Sequence, residues 1–182
     1  LVLYKGKGFH YVADVSPDGG WALVVKIHSL SSSELLLLHL QSGRAQRLAP
    51  SKGVTAQASA AAFAPDGKHV YVVTDEGTPR AHLRKISLKS RKEVARYVDA
   101  EGEVRFAQAK GKALVVSVDR GSDQTVRILD RRKLTVRKKA RLSRGSARMG
   151  LLSKDGKELV LSFSNPQTPL DVFALSTRTG KL

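Results

Sequence analysis

The segment Asp66-Gly67-Lys68-His69-Val70-Tyr71-Val72-Val73 decides how the chain is read, because its pattern occurs four times. It aligns without gaps with Asp18-Gly19-Gly20-Trp21-Ala22-Leu23-Val24-Val25, with Lys110-Gly111-Lys112-Ala113-Leu114-Val115-Val116-Ser117 and with Asp155-Gly156-Lys157-Glu158-Leu159-Val160-Leu161-Ser162. The shared glycines lie 48, 44 and 45 residues apart. Asp-Gly between two β-rich runs signals a hairpin, since the turn needs positive φ and glycine supplies it without a Cβ clash. Lys110-Gly111 keeps the glycine and loses the aspartate.

A second landmark lies further along each repeat. Gly43 and Gly180 each fall 24 residues beyond the first glycine of their repeat, after Leu37-Leu38-His39-Leu40 and Val172-Phe173-Ala174-Leu175. Arg91 sits at the same offset of 24, after Leu83-Arg84-Lys85-Ile86. In the third repeat Arg131-Arg132-Lys133 marks the turn slightly earlier. Each unit therefore holds an inner and an outer hairpin, which makes four strands. The runs Val70–Thr74, Leu114–Val118 and Leu159–Phe163 are β-branched, short and bounded by turns, so helices are not expected. A β-sandwich competes, but its strands need not recur with a two-turn unit.

A four-stranded unit of about 40–50 residues in tandem is the signature of a propeller blade. The expected fold is all-β: a single β-propeller region over 1–182, with about four blades of four antiparallel strands. The blades are expected near 9–55, 56–102, 103–146 and 147–182. Residues 1–8, opening Leu1-Val2-Leu3-Tyr4, read as an outer strand of a partial blade. The chain stops at Thr179-Gly180-Lys181-Leu182, inside the outer turn of the fourth repeat. Two partial blades could complete each other in a four-bladed ring. The preferred expectation is a piece of a larger propeller.

At this point the residues resemble a known family. Ser16-Pro17-Asp18-Gly19, Ala64-Pro65-Asp66-Gly67-Lys68 and Ser153-Lys154-Asp155-Gly156-Lys157 are similar to the S-P-D-G-K hairpins of TolB-like and prolyl oligopeptidase propellers. The stretch from Pro169 to Leu182, with Asp171-Val172-Phe173-Ala174-Leu175 and Thr179-Gly180-Lys181-Leu182, resembles the outer hairpin of S9 serine peptidases. The likeness extends over essentially the whole chain, to prolyl oligopeptidase or acylaminoacyl-peptidase-like enzymes. The motif marks the blade type. The resemblance implies a propeller that caps an α/β-hydrolase domain and restricts access to its active site. That hydrolase domain is absent from this chain.

The residues themselves carry no catalytic pattern. A serine hydrolase elbow needs G-x-S-x-G at a strand-to-helix turn. Gly145-Ser146-Ala147-Arg148 lacks the second glycine, so Ser146 reads as a loop residue. The five histidines, His10, His28, His39, His69 and His82, form no zinc-binding motif. His39 reads as a strand-face residue between Leu38 and Leu40. Gly150 to Lys157 has the wrong spacing for a phosphate loop, and Glu158 stands where Ser or Thr is needed. Asp18, Asp66 and Asp155 read as turn formers. Asp75-Glu76-Gly77 and Asp99-Ala100-Glu101-Gly102-Glu103 read as solvated loops. Catalytic, cofactor and metal sites are accordingly all expected to be none.

Composition bounds the remaining classes. Of 182 residues, 41% are hydrophobic and 26% charged, as in ordinary globular proteins. The longest leucine run, Leu35 to Leu38, is far short of the roughly 20 apolar residues of a membrane helix. No cysteine is present, which removes disulfides and thiolate metal sites. The opening Leu1-Val2-Leu3-Tyr4-Lys5 lacks a signal-peptide pattern and a Met, so the natural start is expected upstream. The compartment is left unassigned.

The net charge of +16 invites a nucleic-acid reading. Arg131-Arg132-Lys133 and Arg137-Lys138-Lys139-Ala140-Arg141 are dense, with Arg144 and Arg148 following. Yet aromatics are 5%, and none lies between Arg127 and Arg148 to stack on bases. An acidic partner, or the rest of its own protein, suits the charge better.

The functional expectation is a non-catalytic propeller of an S9-type serine peptidase. It would gate substrate access and dock to the hydrolase domain, with peptide substrate in transit. The alternative is a stand-alone TolB-like interaction propeller. A basic nucleic-acid-binding module is the weaker third. No membrane partner is expected, and open blade edges allow self-association.

Overall fold

Each repeated Asp-Gly motif tips the inner hairpin of one meander in the computed structural model, which describes residues 2–182. The first sheet holds β1 (Phe9–Val15), β2 (Trp21–Ser29), β3 (Ser32–His39) and β4 (Ala45–Ala49). The second holds β5 (Ala58–Phe63), β6 (His69–Thr74), β7 (His82–Ser87) and β8 (Glu93–Tyr97). The third holds β9 (Glu103–Lys110), β10 (Ala113–Asp119), β11 (Gln124–Leu129) and β12 (Val136–Lys139). The fourth has three strands, β13 (Ser146–Leu152), β14 (Glu158–Asn165) and β15 (Thr168–Ser176). All neighbouring strands are antiparallel and consecutive, and the described residues contain no helix.

The first strands of successive sheets, β1, β5, β9 and β13, lie side by side, so the sheets radiate as blades from one axis. The result is a partial β-propeller of about four blades. Blades approach one another most closely where their innermost strands meet, which favours small side chains in the seams there. The innermost strands answer with Ala58, Ala60, Ala61, Ala62, Ala107 and Ala109, all buried.

The turns show why the motif recurs. Gly19, Gly67 and Gly156 each donate a backbone hydrogen bond three residues back, to Ser16, Ala64 and Ser153, at 2.8–2.9 Å. All three have positive φ, from 64° to 75°. Asp18 and Asp155 accept from the amides of Gly20 and Lys157, and Asp66 from that of Lys68. The third copy is shorter: Lys110 pairs directly with Ala113, and Gly111 and Lys112 alone make the loop.

The second turn is equally regular. Gly43, Arg91, Leu134 and Gly180 have φ of 68°, 59°, 56° and 72°, and each donates to the carbonyl four residues back. The third landmark is therefore Leu134, just past the Arg131–Lys133 run that the sequence suggested. Leu134 is 2% exposed, so burial of its side chain offsets the strain of a left-handed non-glycine residue.

Three apolar seams hold the blades together. Leu23, Val25, Leu35 and Leu37 meet Phe63, Val70, Val72 and Ile86 between blades 1 and 2. Tyr71, Val73 and Leu83 meet Leu114, Val116 and Leu129 between blades 2 and 3. Val115, Val126 and Ile128 meet Leu159, Leu161 and Phe163 between blades 3 and 4. Alternate residues on a strand face opposite sides, so one blade serves two seams.

The expected outer strand at residues 1–8 is not formed among the described residues 2–8. Leu1 lies outside the described residues. Tyr4 instead packs on the free face of blade 1, beside Ala22, Val24, Leu36 and Leu38. The free face of blade 4 exposes Leu151, Val160, Leu170 and Val172.

Candidate functional site

The axis itself carries a cavity of about 580 Å³. All four innermost strands line it, through residues such as Tyr11, Asp14, Ser59, Phe106, Gln108 and Leu151. Each innermost strand breaks its ladder register here, near Ala13, Ser59, Arg105 and Gly150. Such bulges increase twist and re-aim side chains.

Three polar side chains bridge blades across the cavity wall. The Tyr11 hydroxyl donates to the Ser59 carbonyl at 2.7 Å. Asp14 accepts from the Phe63 amide at 2.8 Å. Gln108 donates to the Gly150 carbonyl at 2.7 Å and accepts from the Leu152 amide at 2.8 Å. Burial pushes the Tyr11 phenol above its usual range, so it stays a neutral donor. These groups spend their hydrogen bonds on holding the blades, and no nucleophile stands beside a base.

The histidines fall on separate strands. His28 faces Glu34 at 3.4 Å, and His69 faces Asp66 at 3.0 Å. His39 contacts Ser42 at 2.9 Å and meets the Trp21 ring edge-on. His82 is fully buried with Thr78 at 2.8 Å from Nδ1, while its Nε2 has no partner. The Nε2 of His10 is likewise buried without a partner. Ser146 opens β13, paired with Ser164, and sits on a strand where the sequence suggested a loop. Gly150–Lys157 spans the end of β13 and its hairpin. Among the described residues no group of three His, Asp or Glu side chains converges.

The acidic loops depart from expectation. Asp99 is 6% exposed and bound to Arg127 at 3.1 Å, with the Tyr97 hydroxyl donating to it. Glu101 meets Arg120, Arg127 and Lys139, which hold its carboxyl down at about 2. Asp75 accepts from the Gln57 amide at 2.7 Å, and Glu76 accepts from the Ser51 amide and pairs with Arg84. These residues tie blades together and are not merely solvated. Apart from Tyr97 and Arg84, their partners lie 18 to 38 residues away, so no local pattern announces them.

The basic run is also divided by the fold. Arg131–Lys133 tip the outer hairpin of blade 3, Arg137–Lys139 run along edge strand β12, and Arg141 and Arg144 lie in the β12–β13 connection, where the Arg141 amide donates to the Gly180 carbonyl at 2.7 Å. Arg137 and Lys138 join Lys112, Lys157 and Arg178 around a groove of about 770 Å³ between blades 3 and 4.

The fold defines the class: a partial β-propeller of about four blades, with a cavity where the innermost strands meet. Residues 2–182 match the prolyl oligopeptidase N-terminal β-propeller domain, and the chain belongs to that family. It is similar to a prolyl endopeptidase structure at 22% identity and TM-score 0.76, covering 94% of this chain and 25% of that one. A puromycin hydrolase structure aligns at 20% identity and TM-score 0.77, covering 95% and 28%. TolB from Acinetobacter baumannii aligns at 20% and 0.70, covering 98% and 43%. The chain thus spans about a quarter of the two hydrolases' length. No curated protein matches it in sequence.

Proposed function

We propose that the chain is the non-catalytic propeller portion of an S9-type serine peptidase, gating peptide access to an α/β-hydrolase domain. The axial cavity carries this reading: all four innermost strands line about 580 Å³, and Tyr11, Asp14 and Gln108 of its wall are already hydrogen-bonded between blades. A peptide could pass without a competing reactive group. The family supports the hydrolase partner.

Topology supports where that partner docks. A four-stranded meander begins and ends on the same rim. In this fold that is the rim of the β4–β5, β8–β9 and β12–β13 connections. A domain joined to the propeller through its chain is therefore attached on that side.

The test is peptide hydrolysis by the intact protein over a ladder of substrate lengths. Tyr11→Ala opens the cavity wall and removes one bridge between blades. It should raise cleavage of long peptides relative to short ones. An unchanged length preference would sink the gate.

A stand-alone interaction propeller is the second reading, supported by the alignment of 98% of this chain with TolB. Full activity of a hydrolase partner without any bound propeller would favour it.

A further inference from the structure

The two rims differ sharply in charge. Connections β1–β2 and β3–β4, their counterparts in the other blades, and residues 177–182 carry thirteen Lys and Arg against four Asp, a net of +9. The opposite connections carry five Lys and Arg against five Asp and Glu, a net of zero. More than half of the +16 net charge thus sits on one rim.

The four acids of the basic rim are turned into their own backbone. Asp18, Asp66 and Asp155 accept from turn amides, and Asp130 accepts from those of Arg132 and Lys133 at 2.9 Å. Among the described residues, only Lys157 of the thirteen cations has a carboxylate within 4.0 Å, Asp155 at 3.0 Å. Twelve positive charges therefore stand without an ionic partner, twelve of the thirteen being exposed side chains. Like charges held this close repel, and an anionic partner relieves that repulsion.

We propose that this rim, centred on the groove between blades 3 and 4, is a docking surface for acidic polypeptide segments. Lys112, Arg137, Lys138, Lys157 and Arg178 stand around the groove, and Ala113, Ile128 and Leu129 form its apolar wall. A polypeptide with interspersed acidic and aliphatic side chains satisfies both surfaces. Nucleic acid satisfies only the first, for the groove has no aromatic side chain on which a base could stack. A smaller groove of about 590 Å³ between blades 1 and 2 also carries Lys68, Lys89 and Arg91, but with Trp21 and Phe63 in its wall. The basic rim lies opposite the attachment rim, so a hydrolase domain leaves it open. Its occupancy is read by binding and does not depend on peptidase activity.

The experiment is fluorescence anisotropy of a dye-labelled Glu/Leu peptide on the intact protein, against Lys/Leu and uncharged peptides. The Glu/Leu peptide alone should bind, and more weakly as salt shortens the Debye length. The double variant Arg137→Glu/Lys138→Glu should weaken binding about tenfold or more, with the thermal melt unchanged. The opposite-rim variant Lys52→Glu/Arg80→Glu, at two exposed residues of the β4–β5 and β6–β7 connections, should leave it within about twofold. Equal losses in both variants would reduce the effect to net charge and overturn the site. Tighter binding of duplex DNA or single-stranded RNA than of the Glu/Leu peptide would overturn the polypeptide assignment. Absence of Glu/Leu binding at low salt would overturn the proposal altogether.

Discussion

Gly111 and Gly156 lock together across the seam between blades 3 and 4. A Cβ on Gly111 would strike the carbonyl oxygen of Asp155, and one on Gly156 would strike that of Lys110. Each glycine thus serves both a left-handed turn and a close approach of two backbones. Gly67 differs: its φ is 64°, yet a Cβ there meets nothing within 4 Å.

This difference predicts a ranking. Gly67→Val should cost about 1–2 kcal/mol from backbone strain alone. Gly156→Ala should cost more, because the two turns must also part. Chemical denaturation of both variants checks the order. Equal losses would mean the seam yields freely.

Arg127 is the buried centre of the blade 2–3 ion network, with side chains of Arg127 and Asp99 only 3% and 4% exposed. Arg127→Leu leaves Asp99 buried without its cation and should cost about 3–5 kcal/mol. The double variant Arg127→Leu/Asp99→Asn should recover much of that loss. A double variant no more stable than the single one would show that the charge is not the cause.

His82 gives a pH dependence. Burial lowers its pKa below the ordinary histidine value of 6.5, so the folded state resists a proton that the unfolded chain accepts. Its contribution is constant above that value and is lost as pH falls from 6.5 towards the folded value. Thermal melts should therefore decline in mildly acidic buffer, and His82→Gln should flatten this part of the curve. A wild-type melt insensitive to pH there contradicts the assignment.

Blade 4 presents Leu170 and Val172 at 62% and 72% exposure on its free face. The 182-residue chain by itself should self-associate through this surface as concentration rises. Leu170→Lys/Val172→Lys should shift light scattering towards monomer. No change would place the contact elsewhere.

The sequence alone determined what depends on neighbouring residues. Asp-Gly and the glycines 24 positions later mark positive-φ turns, and turn spacing sets strand number and blade period. Leu134 escaped that reading because a non-glycine residue holds the left-handed turn, helped by burial. Residues 2–8 escaped it because an apolar stretch reads as a strand until its packing partner is known. Only the tertiary structure decided which charges are neutralised. Asp99 finds Arg127 28 residues away, whereas Arg137 and Lys138, in the densest basic run, have no carboxylate within 4.0 Å among the described residues. Coulomb interactions depend on distance in space and on burial, and folding sets both. The strand order also fixes which connections share a rim, and so gathers thirteen Lys and Arg on one of the two.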